Sequence, residues 1–488
     1  MSADNFLGGT VLSDESPAGR GGAAGGPTTM RRILRTHLPL AAAVGAIVLP
    51  AGTAAAATAV APAHAFAPRQ LLVKLKGERF GHALPLPAGT GVRRAAAALR
   101  QNPRVVYAEP NYAATASSVD AAPLDPDDSG SIEATAATTG EAGKWSSKQW
   151  NFLSPEGPET AALPISPGGI DAVDAWRNLV EAGRPGGTGV TVAVLDSGIA
   201  YRFYGTGYKR SPDFSSGQFV PGYNFVGHDR LPLDRNGHGT HVAGTIAEKT
   251  GNGIGLTGLA YGAKLMPVRV LNREGEGLES QIARGIRYAV VHHADVINMS
   301  FNFACGERVP MVDEALRFAY RSGVVTVASG GNFDPLHPAE TACISEPATG
   351  PRVIGVGAAT EGACLSRYSL TGPAIDILAP GGGEPRSGCP SILNRPIYQV
   401  TLRKGSTSEF SIPSTYAGTS MAAAHVSGAA ALVLASRGIR PQETPRALVD
   451  VVTRRLLATA RDLGLPSTQQ GAGLLDVGRA TKPIRRAS

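Results

Sequence analysis

Three polar side chains in this 488-residue chain are of the types that acyl transfer requires, and each stands beside glycine at a point where the backbone turns. Ser420 lies in Gly418-Thr419-Ser420-Met421-Ala422, just ahead of the apolar run 429–435, and a run that apolar makes a buried helix. A serine at such a helix N-terminus has unpaired N–H groups and the positive end of the helix dipole beside its Oγ. Both stabilise an oxyanion formed there. A lone Gly-Thr-Ser would read as a helix cap and nothing more, but two upstream motifs change that reading. His238, in Asn236-Gly237-His238-Gly239-Thr240-His241, begins a second glycine-flanked helix and is the candidate base. Asp196 closes the apolar strand 190–195, and the carboxyl ends of buried parallel strands are where such sheets carry their sites.

A serine hydroxyl is a poor nucleophile until a base takes its proton, and the base works best when a carboxylate orients it. Ser420, His238 and Asp196 supply those parts. The oxyanion needs a donor, and Asn332 follows Ala328-Ser329-Gly330-Gly331 at another strand end. An esterase of the α/β-hydrolase kind would need Gly-x-Ser-x-Gly and the order Ser, Asp, His, and the chain has neither. His241, three residues from His238, belongs to no His-Glu-x-x-His motif and has no evident third ligand, so it reads as a packed helix residue and not as a zinc ligand.

The elements that must hold these residues alternate. After the Asp196 strand come strand 264–271, helix 279–293, strand 295–300, helix 312–321 and strand 323–328, with further strands at 353–356 and 375–378. Repeated βα units with short connections predict an α/β fold, a doubly wound parallel sheet flanked by helices. The Ser420 helix should cross its centre.

The stretches Val194-Leu195-Asp196-Ser197-Gly198-Ile199, His238-Gly239-Thr240-His241-Val242-Ala243-Gly244 and Gly418-Thr419-Ser420-Met421-Ala422, in this order, resemble the subtilase family of serine proteases, peptidase family S8. The resemblance covers about residues 150–480. It implies a subtilisin-like fold and a serine endopeptidase with Asp196, His238 and Ser420 as its triad and Asn332 as oxyanion donor. It also implies polypeptide substrates, bound as an added strand along Gly275, Gly277, Ser300, Phe301 and Asn302, with Phe301 or Ser345 shaping the primary pocket. Where Asn302 stands many relatives have Gly, which puts the usual edge geometry in question. The loop from Thr250 resembles the family's calcium site, with Asp213, Asn252 and the carbonyls of Thr250, Ile254 and Leu256 as oxygen ligands of the kind Ca²⁺ takes. The chemistry itself requires no cofactor. Before His425 the family usually has Ser-Pro. Here Ala423-Ala424 stand instead, and Ala424 keeps a backbone N–H for the helix. A catalytically silent, subtilase-like binding protein is the competing reading, opposed by the presence of all four residues together.

The segment 66–117 resembles an inhibitor-type propeptide, a small α/β domain with strand 71–75, helix 93–101 and strand 105–108, which in that family aids folding and then blocks the active site. Residues 118–148, rich in Ala, Ser, Thr, Asp and Gly, read as a linker, and autoprocessing is expected between about residues 112 and 148. The catalytic domain is then 149–482. Upstream, Met30-Arg31-Arg32-Ile33-Leu34-Arg35, the apolar stretch 38–48 and Ala63-His64-Ala65 form a secretory signal over 30–65. Residues 1–29 read as disordered or as lying ahead of the true start.

The net charge of +7 is concentrated early, with 11 Lys/Arg against 2 Asp/Glu over 30–117 and 34 of each over 118–488. It therefore belongs to the precursor and is no nucleic-acid footprint. The apolar stretch, interrupted by Pro39 and Pro50, is too short for a stable membrane span. Export to the cell exterior permits disulfides, and four cysteines allow three pairings. Family-like positions favour Cys305 with Cys343 and Cys364 with Cys389. A monomer is expected. Two insertions, 201–210 and 381–415, are expected on the surface.

Overall fold

The computed structural model describes residues 65–116, 119–120, 145–157, 163–252, 255–436 and 444–483. The expected signal and the segment before it lie outside these residues, except for Ala65, as does most of the linker.

The segment expected to be a propeptide is built from β1 (Phe66–Leu75), β2 (His82–Pro85), α1 (Val92–Arg100) and β3 (Val105–Ala116). The strands form an antiparallel sheet in the order β2, β1, β3. Helix α1 buries Val92, Ala95, Ala96 and Leu99, the spacing of one helical face. Strand β3 runs eight residues past the expected end at 108, because its second half pairs with strands of the catalytic domain. Two linker residues also form a short strand, β4 (Val119–Asp120).

The catalytic domain contributes β5 (Thr191–Asp196), β6 (Tyr223–Asn224), β7 (Lys264–Arg269), β8 (Glu276–Leu278), β9 (Val296–Met299), β10 (Phe301–Phe303), β11 (Val325–Ser329), β12 (Val353–Ala359) and β13 (Ile377–Pro380). Seven of these make one sheet in the order β13, β12, β11, β9, β5, β7, β6, and every pairing in it is parallel. Its helices are α2 (Ala172–Glu181), α3 (His238–Ala247), α4 (Glu279–Val291), α5 (Pro310–Arg321), α6 (Thr419–Ala435) and α7 (Pro445–Thr459). One core joins α2, α3, α6 and α7 to the sheet, and a second joins α4 and α5 to it. This is the expected doubly wound arrangement. All but one of the 17 residues of α6 are buried, so a helix apolar on every side is enclosed on every side.

The second insertion departs from its expected surface position. Ile397 and Val400 are wholly buried, and the Trp150 indole donates to the Pro396 carbonyl at 3.0 Å. The insertion also carries β14 (Thr401–Leu402), β15 (Phe410–Ser411) and, directly after it, β16 (Tyr416–Ala417). The two insertions meet: Lys209 N donates to the Thr407 carbonyl at 3.2 Å and Thr407 Oγ1 to the Gly207 carbonyl at 2.6 Å. Cys305 pairs with Cys343 and Cys364 with Cys389, at Cα separations of 5.5 and 6.1 Å.

Candidate active site

Asp196 ends β5 in the middle of the parallel sheet and is wholly buried. Its Oδ1 accepts from the Ser197 amide at 2.7 Å and from His238 Nδ1 at 2.8 Å. The Asp196 contact therefore puts the proton on Nδ1 and leaves Nε2 as the acceptor that a base requires. Gly239, next to His238, has no room for a side chain: a Cβ there would lie 2.2 Å from the Gly198 carbonyl and 3.0 Å from Asp196 Cβ. The glycine lets the start of α3 close onto the end of β5.

Burial works against a charge on the His238 ring, but the Asp196 carboxylate, by its charge and hydrogen bond, and the charge of Asp234 outweigh it. The imidazole is held above its ordinary value. Asp234 is a residue that sequence reasoning missed. It is buried, and its carboxylate accepts from the amides of Asn236, Gly237 and Thr240 at 2.9, 3.0 and 3.0 Å, and from the hydroxyls of Ser197 and Thr240 at 2.9 and 2.6 Å. Within the first turn of α3 it takes the Thr240 amide, while the amides of His238 and Gly239 donate to Asn236 Oδ1 at 3.1 Å and Ser197 Oγ at 3.0 Å. An aspartate four residues before His238, followed by Arg-Asn-Gly, is an Asx-turn signature that would have revealed it.

His241, on the same helix, is wholly buried, donates from Nε2 to the Ile397 carbonyl at 3.0 Å and stacks on Tyr416. Desolvation pushes its pKa down to about 3. It is the packed helix residue expected, and among the described residues no cluster of three metal-ligating side chains occurs. His425 is held neutral in the same way, with Nδ1 donating to Met421 O at 2.7 Å and Nε2 facing the Asn151 amide at 2.8 Å.

Ser420 is the second residue of α6, which packs against α3. Its Oγ donates to the Ser300 carbonyl at 3.1 Å while Ser300 Oγ donates to the Ser420 carbonyl at 3.0 Å. This exchange fixes the start of α6 against the turn between β9 and β10. Asn332 Oδ1 accepts from Thr419 N at 3.0 Å and Thr419 Oγ1 at 2.9 Å. Because a main-chain N–H must meet an oxygen, that contact assigns the amide and turns Nδ2 away from Thr419. Asn332 Nδ2 and His238 Nε2 are both buried without a hydrogen-bond partner. Each such group costs about 1–3 kcal/mol, and in native proteins it calls for a functional reason.

The edges expected to bind substrate pair with β3 of the N-terminal segment. Ala114, Thr115 and Ala116 of β3 pair antiparallel with Phe303, Asn302 and Phe301 of β10, while Ala113, Ala114 and Thr115 pair with Leu278, Gly277 and Glu276 of β8. The Ala116 amide donates to the Gly275 carbonyl at 2.9 Å. Gly277 lets β8 lie against the end of β7, since a Cβ there would lie 2.4 Å from the Val270 carbonyl. Asn302 leaves the edge intact: its Nδ2 turns to the Ser329 carbonyl at 2.8 Å. The Phe301 ring is wholly buried in the core cluster that also takes in Ala114, and Ser345 Oγ donates to the Phe303 carbonyl at 2.6 Å. Away from the cleft, Glu314 on α5 gathers the Lys74 ammonium, the Tyr107 hydroxyl at 3.3 Å and the Gly81 amide at 3.3 Å. Asn111 and Ser280 exchange two hydrogen bonds at 2.9 and 3.0 Å.

Of the expected calcium ligands, Ile254 lies outside the described residues. Asp213 is buried, and its oxygens accept from Asn252 Nδ2 and from the Leu256 amide, each at 2.7 Å. Leu256 therefore offers its N–H to Asp213 rather than its carbonyl. Thr250 makes none of these contacts. Burial raises the Asp213 carboxyl to about 7.

The model of the family described as subtilase, Peptidase_S8, matches residues 187–473, and the chain belongs to this family. It is a serine-type endopeptidase, similar to subtilisin DY of Bacillus licheniformis (33% identical over 65% of this chain and 98% of that one) and to thermitase of Thermoactinomyces vulgaris (31% over 63% and 94%). A thermophilic serine proteinase of Bacillus sp. is 35% identical over 52% of this chain and about half of its own length, 54%. A solved protease structure from Pseudoalteromonas arctica superposes with a TM-score of 0.51 at 30% identity, covering 64% of this chain and 94% of that one.

Proposed function

We propose that the protein is made as an exported precursor, removes its own pro-region and then hydrolyses peptide bonds in other polypeptides as a monomer. Ser420 Oγ attacks the substrate carbonyl. His238 takes the proton at Nε2 and delivers it to the leaving amine, while Asp196 holds the ring and stabilises its charged form. The oxyanion is met by Asn332 Nδ2 and the main chain at Ser420. The observation that carries this reading is the pair of buried, unpartnered atoms, His238 Nε2 and Asn332 Nδ2: one wants a proton and the other a negative oxygen. No step calls for nucleic acid, and no helix among the described residues is long and apolar enough to cross a membrane. The pro-region acts as an inhibitor by filling the cleft as an added strand.

Ser420→Ala should lose about 10⁶-fold in kcat on casein, the loss found for the serine of a subtilisin, and should keep its pro-region. Full processing of the alanine form with no proteolysis by either form would leave the silent binding protein as the better reading.

A structural Ca²⁺ beside Asp213 belongs to the same proposal. A buried carboxylate, the Asn252 side-chain amide and main-chain carbonyls are the oxygen donors such an ion takes. A chelator should then lower Tm in wild type and leave Asp213→Asn unchanged. Equal Tm values for wild type with and without chelator would remove the ion.

A further inference from the structure

We infer that the second insertion turns the cleft beside His238 into a cationic pocket, which selects substrates with an aspartate or glutamate next to the scissile bond. This specificity rests on the proteolytic reading above and names a side chain that the site takes. The insertion carries an antiparallel hairpin of β14 and β15, and the hairpin is fixed against the start of α3. Thr401 Oγ1 donates to the Gly237 carbonyl, and a Cβ at Gly237 would lie 3.2 Å from the Leu402 carbonyl and 3.5 Å from the Tyr416 hydroxyl. Between the hairpin and the candidate base lies a cavity of about 440 Å³, with His238 itself in its lining. Whatever fills it therefore lies beside the reacting bond.

Four charged side chains line this cavity: Arg235, Arg273, Glu274 and, at the hairpin turn, Lys404. Three cations against one anion leave a net charge of +2. All four side chains are exposed, and no ion pair among the described residues engages Arg235, Arg273 or Lys404. The Arg235 guanidinium rests 5.7 Å from the Tyr208 ring of the first insertion, so both insertions help to build the wall. A cleft lined mainly by one sign of charge concentrates the opposite sign and repels its own. The cavity is larger than one side chain requires, so charge and not shape does the selecting.

Strand β3 shows which substrate position faces the pocket. The Ala116 amide donates to the Gly275 carbonyl at 2.9 Å. A Cβ at Gly275 would lie 3.5 Å from Ala116 Cβ and 3.8 Å from Asn236 Nδ2, so the Ala116 methyl and the Asn236 amide approach the same point. Asn236 lines the cavity. A residue seated as Ala116 is seated, with a carboxylate one or two methylenes beyond its Cβ, would place that carboxylate among the cations.

The test is kcat/KM of the purified secreted protein on internally quenched peptides that differ only in carrying Glu, Gln or Lys at each acyl-side position in turn, with the cut bond identified by mass. At one of the two residues nearest the scissile bond, Glu should be favoured about fivefold over Gln and about twentyfold over Lys at low salt. Both preferences should shrink at about 0.5 M salt, because exposed charges are screened. Lys404→Glu takes the pocket from +2 to zero and should bring the Glu-to-Lys ratio near one. Lys404→Glu together with Arg273→Glu should invert it. Equal rates for Glu and Gln at both positions, or a Glu preference that neither salt nor these substitutions move, overturn the pocket and leave the proteolytic function standing. A wild type that digests neither the peptides nor casein overturns both.

Discussion

Helices α3 and α6 each open on a residue of the site, and their first turns are built in opposite ways. At the start of α3 the amides of Gly237 and Thr240 and the hydroxyls of Ser197 and Thr240 converge on the Asp234 carboxylate, with Asp196 behind the ring of His238. At the start of α6 the acceptor facing Thr419 is the neutral amide oxygen of Asn332. The difference follows from the charge each end must meet. A base that becomes positive is helped by carboxylates that cancel the helix dipole. A serine that generates an oxyanion needs the dipole and the N–H donors left uncancelled. One helix end is made negative and the other is kept positive.

Removing the donor at the positive end should have the largest effect among changes that keep the triad. Asn332→Ala should lower kcat by about 10²–10³-fold with little change in KM, the magnitude found for the asparagine donor of a subtilisin. A matched rise in KM at constant kcat would mean that Asn332 serves binding and not the transition state.

At the negative end, the base must be neutral to accept a proton, and its pKa lies above the ordinary imidazole value of about 6.5. The acid limb of kcat/KM should therefore fall at a pH above that value. Asp234→Asn removes one of the two charges that raise His238, so the limb should move to lower pH while kcat at alkaline pH drops only about tenfold, as expected of a group that positions the ring. Stability should fall by about 1–3 kcal/mol through the weakened bonds to α3. An unmoved limb would mean that Asp234 only caps the helix.

The smallest effect concerns His241, on the same helix but without a carboxylate. Its folded pKa of about 3 lies below the unfolded value of about 6.5. Below 6.5 the unfolded chain binds the extra proton, so the stability that His241 contributes is complete above about 6.5 and is lost as pH falls toward 3. His241→Phe should flatten that part of the stability curve, measured by denaturant titration at successive pH values, and leave the acid limb of activity in place. An activity limb that moves with His241 would couple the two histidines and weaken the contrast drawn between the two helix ends.

Much of the site was legible in the residues because its parts are local. Asp196 ends an apolar strand, and His238 and Ser420 begin helices. Backbone periodicity places strand ends and helix starts without knowledge of the fold, and the uniform apolarity of α6 announced its central position. The turn at Asp234 is local and has a short signature, but its bond to Ser197 at the end of β5 and its charge on the His238 ring depend on segments that only folding brings together. The length of β3 and the order in β4 were equally hidden, since the last residues of β3 and the whole of β4 pair with edges 160 to nearly 300 residues away in the chain.

The second insertion, expected on the surface because it is an insertion, buries Ile397 and Val400, and Ile397 joins the core cluster that holds Trp150. What the residues determined alone were the chemical types, their order and the elements that carry them, all consequences of side-chain chemistry and the periods of helix and strand. Tertiary structure alone decided which carboxylate faces which imidazole nitrogen, which amide hydrogens are left without partners, and which edges β3 pairs with. Those depend on register and distance between segments that only folding brings together.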